Sequence, residues 1–148
     1  MIDTVLGAAL EVATDNTDRE LAVARPSRSV SAVREASRFP ASMRAWASCV
    51  AQRESGGSPT ARNSASSAQG RYQFLDRLWR TSLAGQVAAR LRHYGLPKSD
   101  ATKVRDWLRA HEIAAWPAVY QDIGFIEVNA RGGSYHWRLA GSRCEGLR

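Results

Sequence analysis

Four apolar stripes at helical spacing, three of them stopped by glycine, limit this chain to a set of short helices packed on one another. Met43, Trp46, Ala47 and Val50 repeat at i, i+3, i+4 and i+7 behind Ser42, a predicted cap, and the run stops at Ser55, Gly56 and Gly57. Leu78, Trp79, Leu83, Val87 and Leu91 form a second stripe, broken at Gly95, Leu96 and Pro97. A third helix is predicted from Ser99 or Asp100 through Val104, Trp107 and Leu108. Pro117 suits the first turn of the last, with Val119, Tyr120, Ile123, Ile126 and Val128 before Gly132 and Gly133. Residues 58–69 are polar and aperiodic, a loop or small hairpin, before the compact run Gly70 to Leu75. The pattern predicts a mainly α (α+β) domain: compact, helical, with a small irregular or β loop segment. Trp46, Trp79, Trp107 and Trp116 are assigned to its core.

A chain of 148 residues has room for one such core. Residues 1–24 read as a short helix and an acidic polar stretch, and residues 25–40, rich in Ser and Arg with two prolines, as a linker or loosely packed arm. The predicted organisation is an N-terminal arm over 1–40 and a folded domain over 41–148. Charge divides in the same way: residues 1–20 carry a net −4 and the remainder +11. A body of that sign is drawn to polyanions. Its arginines are scattered singly, with no nucleic-acid motif, so specific nucleic-acid binding is not expected. No apolar run approaches the roughly 18 residues that span a bilayer. Val5 to Leu10, flanked by Asp3 and Glu11, does not read as a signal peptide.

The two cysteines, Cys49 and Cys144, lie far apart, and His93, His111 and His136 are not at metal-ligand spacing with them. Neither a metal site nor a cofactor is expected. On spacing alone the cysteines are either two separate buried thiols or one bridge that ties the tail to the middle of the chain.

Glu54 is the residue that points to chemistry. At 100° per residue it falls within about 20–40° of Met43 and Val50, on the apolar stripe. The plain structural alternative is a helix-end carboxylate paired with Arg53, Arg62 or Arg71. Against it, an apolar setting is expected to raise the carboxyl's pKa and keep it protonated. The glycine pair leaves space beside it, and Tyr72 and Gln73 follow 18 and 19 residues later, able to fold back over it. A protonated acid beside an open groove is what a glycosidic general acid needs.

The strings Cys49-Val-Ala-Gln-Arg-Glu54-Ser-Gly-Gly and Ser67-Ala-Gln-Gly70-Arg-Tyr-Gln73-Phe-Leu, with Asn63, Trp79 and a tail from Gly133 to Cys144, resemble the lysozyme-like superfamily. Within it they are most similar to the transglycosylase-like domains of actinobacteria and their phages, related to resuscitation-promoting factors. The resemblance covers residues 42–144. It implies a lysozyme-like fold with a substrate groove, and cleavage of the β-1,4 bond between N-acetylmuramic acid and N-acetylglucosamine in peptidoglycan. Glu54 would be the catalytic acid and Ser55 would orient it. Gln73 would line the groove, and Trp137 would close its far side and stack on a sugar face; Tyr72, beside Gln73, is either a groove or a core residue. The resemblance also favours a Cys49–Cys144 bridge. Resuscitation-promoting factors carry a Cys directly before the Glu; here it stands five residues ahead.

A glycoside hydrolase usually needs a second carboxylate. Asp76, Asp122 and Glu127 are the candidates, each with a structural alternative as helix cap or solvated helix position. A lytic transglycosylase needs none, because the sugar's own 6-hydroxyl attacks. The alternative to an enzyme is a peptidoglycan-binding module that keeps the fold without turnover. A wall-acting, extracellular setting follows from either, as a phage lysin, a virion-borne tail component or part of a secreted protein, with the N-terminal arm available to dock on a larger assembly.

Overall fold

The computed structural model describes residues 27–138 and 142–147. The helix expected within 1–24 lies outside the described residues. Ser27 starts the first helix, α1 (Arg28–Ala36): its Oγ accepts a hydrogen bond from the Val30 N–H at 3.2 Å, satisfying one of the donors that every helix start leaves free. Val30, Ala32, Val33 and Ala36 are buried in the main hydrophobic cluster, and the Arg90 Nε–H donates to the Ala36 carbonyl at 2.6 Å. Residues 28–36, expected as linker or loose arm, are therefore a packed helix of the body.

A 3₁₀ turn, Ala41–Met43, leads into α2 (Arg44–Ser55). Ser42 does not cap it; Met43 holds the cap position and makes no side-chain cap bond. Trp46, Ala47, Val50 and Ala51 are buried, as the stripe requires. The helix ends where Gly56 and Gly57 take left-handed φ values of 65° and 83°, their N–H groups turning back to the Gln52 and Ala51 carbonyls.

The polar loop closes in a minimal antiparallel hairpin, β1 (Ala68–Gln69) against β2 (Phe74–Leu75), with Ala68 opposite Leu75 and Gln69 opposite Phe74. Gly70 (φ 80°) makes the turn at a position where a Cβ would run into the Gln121 side chain. That buried glutamine organises the region. Its Oε1 accepts from the Arg71 N–H at 2.7 Å, and its Nε2 lies 2.9–3.0 Å from the Pro59, Ile113 and Trp116 carbonyls.

Helix α3 (Asp76–His93) packs against α1, α4 (Lys98–Ala110) and α5 (Ala118–Ala130). Leu83, Val87 and Leu91 are buried, with Trp79 partly covered, one turn apart along a single edge. Leu78, expected on this stripe, is 72% exposed, because it lies out of step with those i+4 positions. Pro117 precedes α5, as predicted, and nine consecutive or near-consecutive residues of that helix are buried, making it the centre of the core. Trp116 is buried with its indole N–H shared between the Leu108 and His111 carbonyls, whereas Trp107 is only partly buried and stacks on His111 at 3.9 Å. After α5 the chain turns tightly, since Gly133 sits where a Cβ would be 2.5 Å from Val128 Cγ1. A 3₁₀ segment, Gly133–Trp137, then returns over the core.

Cys49 and Cys144 are joined in a disulfide with Cα atoms 5.6 Å apart, the second of the two readings their spacing allowed. The result is a mainly helical fold with one small antiparallel sheet. Among the described residues no helix is long and apolar enough to cross a membrane, and no group of three or more His, Cys, Asp or Glu is placed to hold a metal ion.

Candidate functional site

The last turn of α2 places Arg53 and Glu54 side by side. The Arg53 Nε–H and Nη2–H both donate to Glu54 Oε1, at 2.9 and 2.6 Å. Nη2 also reaches the Trp137 carbonyl at 2.7 Å, and Nη1 the Ser142 hydroxyl at 3.3 Å. One guanidinium thus bridges the carboxylate to the returning 3₁₀ segment and to the tail. Glu54 keeps 27% of its side chain exposed. The expectation of an acid sealed in an apolar setting is corrected: the core stripe ends one turn below it, and an ion pair takes the place of desolvation. A carboxylate at a helix C-terminus also meets the partial negative charge of the free carbonyls, which Arg53 offsets. Oε2 accepts no hydrogen bond among the described residues.

Ser55 does not orient this carboxylate. Its hydroxyl lies 2.7 Å from the Arg71 carbonyl and 3.1 Å from that of Ala51, so it ties the helix end to the hairpin turn. Tyr72, either a groove or a core residue on the sequence, belongs to the core, being only 2% exposed. It stacks on Phe125 with ring centres 4.2 Å apart and donates its hydroxyl proton to Asp122 Oδ1 at 2.7 Å. Trp137, expected to face a sugar, is 6% exposed; its indole N–H donates to the Tyr72 carbonyl and its ring packs on Phe74 and Phe125. The tight turn at Gly133 carries this tryptophan inward, which the glycine pair in the sequence did not reveal.

Gln73 does reach a cleft. With Phe74, Leu75, Trp79, His136 and the edge of Trp137 it lines a pocket of about 100 Å³. Its φ of 53° makes it the one non-glycine residue with a left-handed backbone among the described residues. That conformation costs roughly 1–2 kcal/mol, and it is held by two bonds to the Gly70 carbonyl, from the Gln73 N–H at 3.2 Å and from Nε2 at 3.0 Å. Gln73 is the last loop residue before β2, a place where hairpin loops often take a left-handed residue. A second pocket of about 210 Å³ shares Trp79 and His136 and continues past Tyr135, which is 63% exposed, to Arg131 and Gln86. Gln86 Oε1 is buried and has no hydrogen-bond partner among the described residues. The two pockets lie on either side of Trp79 and His136, which meet edge to face at 4.8 Å, and Tyr135 flanks the larger one.

The three further carboxylates are all held by arginine. Asp76 accepts two bonds from Arg80 and one from the Ile113 N–H. Burial alone would push its pKa up, but the Arg80 and Ile113 hydrogen bonds and the charges of Arg80 and Arg62 outweigh it and hold the carboxyl below its ordinary value. Asp122 pairs with Arg71 Nη1 through both oxygens at 3.0 Å; burial raises its pKa against the pull of Arg71 and Tyr72. Burial, with the Asp122 charge, also drives the Tyr72 phenol far above its usual range. Glu127 pairs with Arg90 at 3.1 Å and Arg131 at 3.4 Å.

The structural alternative, Glu54 paired with Arg53, is the pairing found; sequence reading missed His136 and Tyr135 as cleft residues and placed Trp79 wholly in the core. For Arg53 the signal was present, a cation directly beside the candidate acid. Fold and cleft together define a disulfide-tied, mainly helical domain whose helix-end carboxylate is tied through Arg53 to Trp137, one of the residues lining an aromatic cleft. Compared with family models, curated proteins and solved structures, the chain matches none.

Proposed function

We propose that this protein cleaves the glycan strands of peptidoglycan as a lysozyme-like lytic transglycosylase, with Glu54 as its single acid and base. The observation that carries the reading is the position of Glu54: half-open at a helix stop, and bridged by Arg53 to the carbonyl of Trp137, a residue that lines the Gln73 cleft. Oε1 is held by Arg53, which leaves Oε2 to meet the substrate. In the proposed step Glu54 enters protonated on Oε2, with Arg53 still donating to Oε1, and gives that proton to the glycosidic oxygen as the bond from the muramic C1 breaks. The carboxylate then takes the proton of the same sugar's 6-hydroxyl as its oxygen bonds to C1, closing a 1,6-anhydro ring and restoring the acid. No water enters. That fits a chain whose other candidate acids, Asp76, Asp122 and Glu127, are each committed to an arginine. Stacking on sugar faces falls to Trp79 and Tyr135 in place of Trp137, and Gln73 supplies an amide at the cleft. A disulfide suits work in an oxidising, extracellular or virion-borne setting.

One observation favours the second reading, a wall-binding module without turnover: Ser55, Tyr72 and Trp137 are spent on the fold. A digest of purified peptidoglycan by the wild type and by Glu54→Gln, with products read by mass spectrometry, separates the two. Anhydro-muramic ends from the wild type alone are the expected result. Reducing ends would instead indicate hydrolysis, and sedimentation with the wall without products would leave the binding module.

A further inference from the structure

The largest of the described pockets, about 340 Å³, is not the groove beside Trp79. It lies on another side of α2, between that helix and the hairpin turn. Two guanidinium groups stand on its walls. Arg71 is fixed from behind, Nε–H to the Gly57 carbonyl at 3.2 Å and Nη1 to Asp122, so that its Nη2 remains without a partner among the described residues. Arg44 is exposed and makes no hydrogen bond or ion pair among the described residues. Ser48 and Gln52, one and two turns further along α2, are exposed and add neutral donors. The floor is apolar: Ala47 and Ala51, closed at the side by Phe39 and the Tyr72 ring. The one carboxylate in contact with this set, Asp122, is already matched by Arg71 and the Tyr72 hydroxyl. The pocket therefore carries an uncompensated positive charge above a small apolar surface.

We propose that this pocket is a binding site for a carboxylate on a short apolar stem, such as the terminal carboxylate of an alanine-sized residue, with Arg44 and Arg71 on the oxygens and the stem on Ala47 and Ala51. Guanidinium forks recognise carboxylates and phosphates alike through paired N–H bonds. The apolar floor distinguishes them, because a bare phosphate leaves it uncovered. Arg71 enters already oriented, so little of its side-chain freedom is lost on binding.

The test is a titration of the full chain with N-acetylalanine, its neutral amide and inorganic phosphate, each followed by backbone amide spectra. N-acetylalanine is expected to give saturable shifts confined to residues 44–57 and 71–72, with the amide giving none. Arg44→Gln is expected to weaken binding about tenfold, the loss of one charge-assisted bond. Because Arg44 is exposed and unpaired among the described residues, the variant's melting temperature stays at the wild-type value, which separates lost binding from lost fold. Gln52→Ala is a second, milder variant on the same wall, expected to weaken binding by a factor of about 3. Equal shifts from the amide, unconfined shifts, or an Arg44→Gln variant that binds as well as the wild type would overturn the site. Phosphate binding tighter than N-acetylalanine would overturn the role of the apolar floor.

Discussion

Asp76 and Asp122 are both buried carboxylates facing arginine, yet their chemistry runs in opposite directions. Asp76 gathers the Arg80 fork and a backbone N–H, so its carboxylate form is favoured; at Asp122 burial outweighs the Arg71 and Tyr72 bonds. The sign of each contribution to stability follows. A carboxyl whose folded pKa is depressed stabilises the fold above its unfolded value, near 3.8, and loses that contribution as pH falls through the folded value. A carboxyl whose folded pKa is raised contributes most below its unfolded value and loses that contribution as pH rises through the folded value. Asp76→Asn is therefore expected to destabilise by about 2 kcal/mol at pH 7, with the gap to wild type narrowing below pH 4. Thermal melts of both proteins at pH 7 and pH 3 check this; a gap that stays constant or widens in acid would show that the ion form of Asp76 is not what stabilises the start of α3.

At the scale of elements, α1 is where sequence and structure part most. Its buried positions are small or β-branched, Val30, Ala32, Val33 and Ala36, diluted by Ser and Arg, and Pro26 ahead of Ser27 reads as a breaker when it in fact precedes a helix cap. Val33 is fully buried against the core. Val33→Asp in the full chain is expected to lower unfolding free energy by about 3 kcal/mol or more, since an unpaired charge would be buried. Urea melts test it; a change within about 0.5 kcal/mol is what a solvated linker would give. Deleting residues 1–38 consequently removes a core helix and is no clean test of an arm that docks elsewhere. The other four helices were legible because apolar positions recur at helical spacing, and α2, α3 and α5 stop beside a glycine, signals that act locally. The site was legible only in part. Glu54 and Gln73 announce themselves by a helix stop and a polar residue in an aromatic run. The angle of Glu54 on the stripe was right, but angle says nothing of height, and at the helix end the core has already given way to Arg53. Trp137 does line the Gln73 cleft, but its burial was not legible, because contacts such as Gly133 on Val128 depend on tertiary packing that no periodicity encodes.

For the whole molecule, the disulfide links the tail to α2 across 95 residues of chain, and it does so five positions before the candidate acid. In the chain-entropy account a loop of that length restricts the unfolded ensemble by about 4–5 kcal/mol. A domain of this size has about 5–15 kcal/mol in all, so the bridge accounts for a large share of its margin. It also fixes the end of the tail, from which Ser142 reaches the same guanidinium that holds Glu54 and the Trp137 carbonyl. Stability and site geometry are thus tied to one covalent bond. With urea m-values of about 1.5–2 kcal/mol/M, reduction or the paired change Cys49→Ala with Cys144→Ala is expected to lower the urea midpoint by about 2–3 M. If the tail serves only the global fold, peptidoglycan product formation at a temperature where both forms remain folded should be equal before and after reduction. The bridge through Arg53 predicts otherwise: the reduced protein forms product more slowly while its helix content by circular dichroism is unchanged. An unchanged urea midpoint would remove the disulfide from the account of stability, and equal rates would detach the tail from the site.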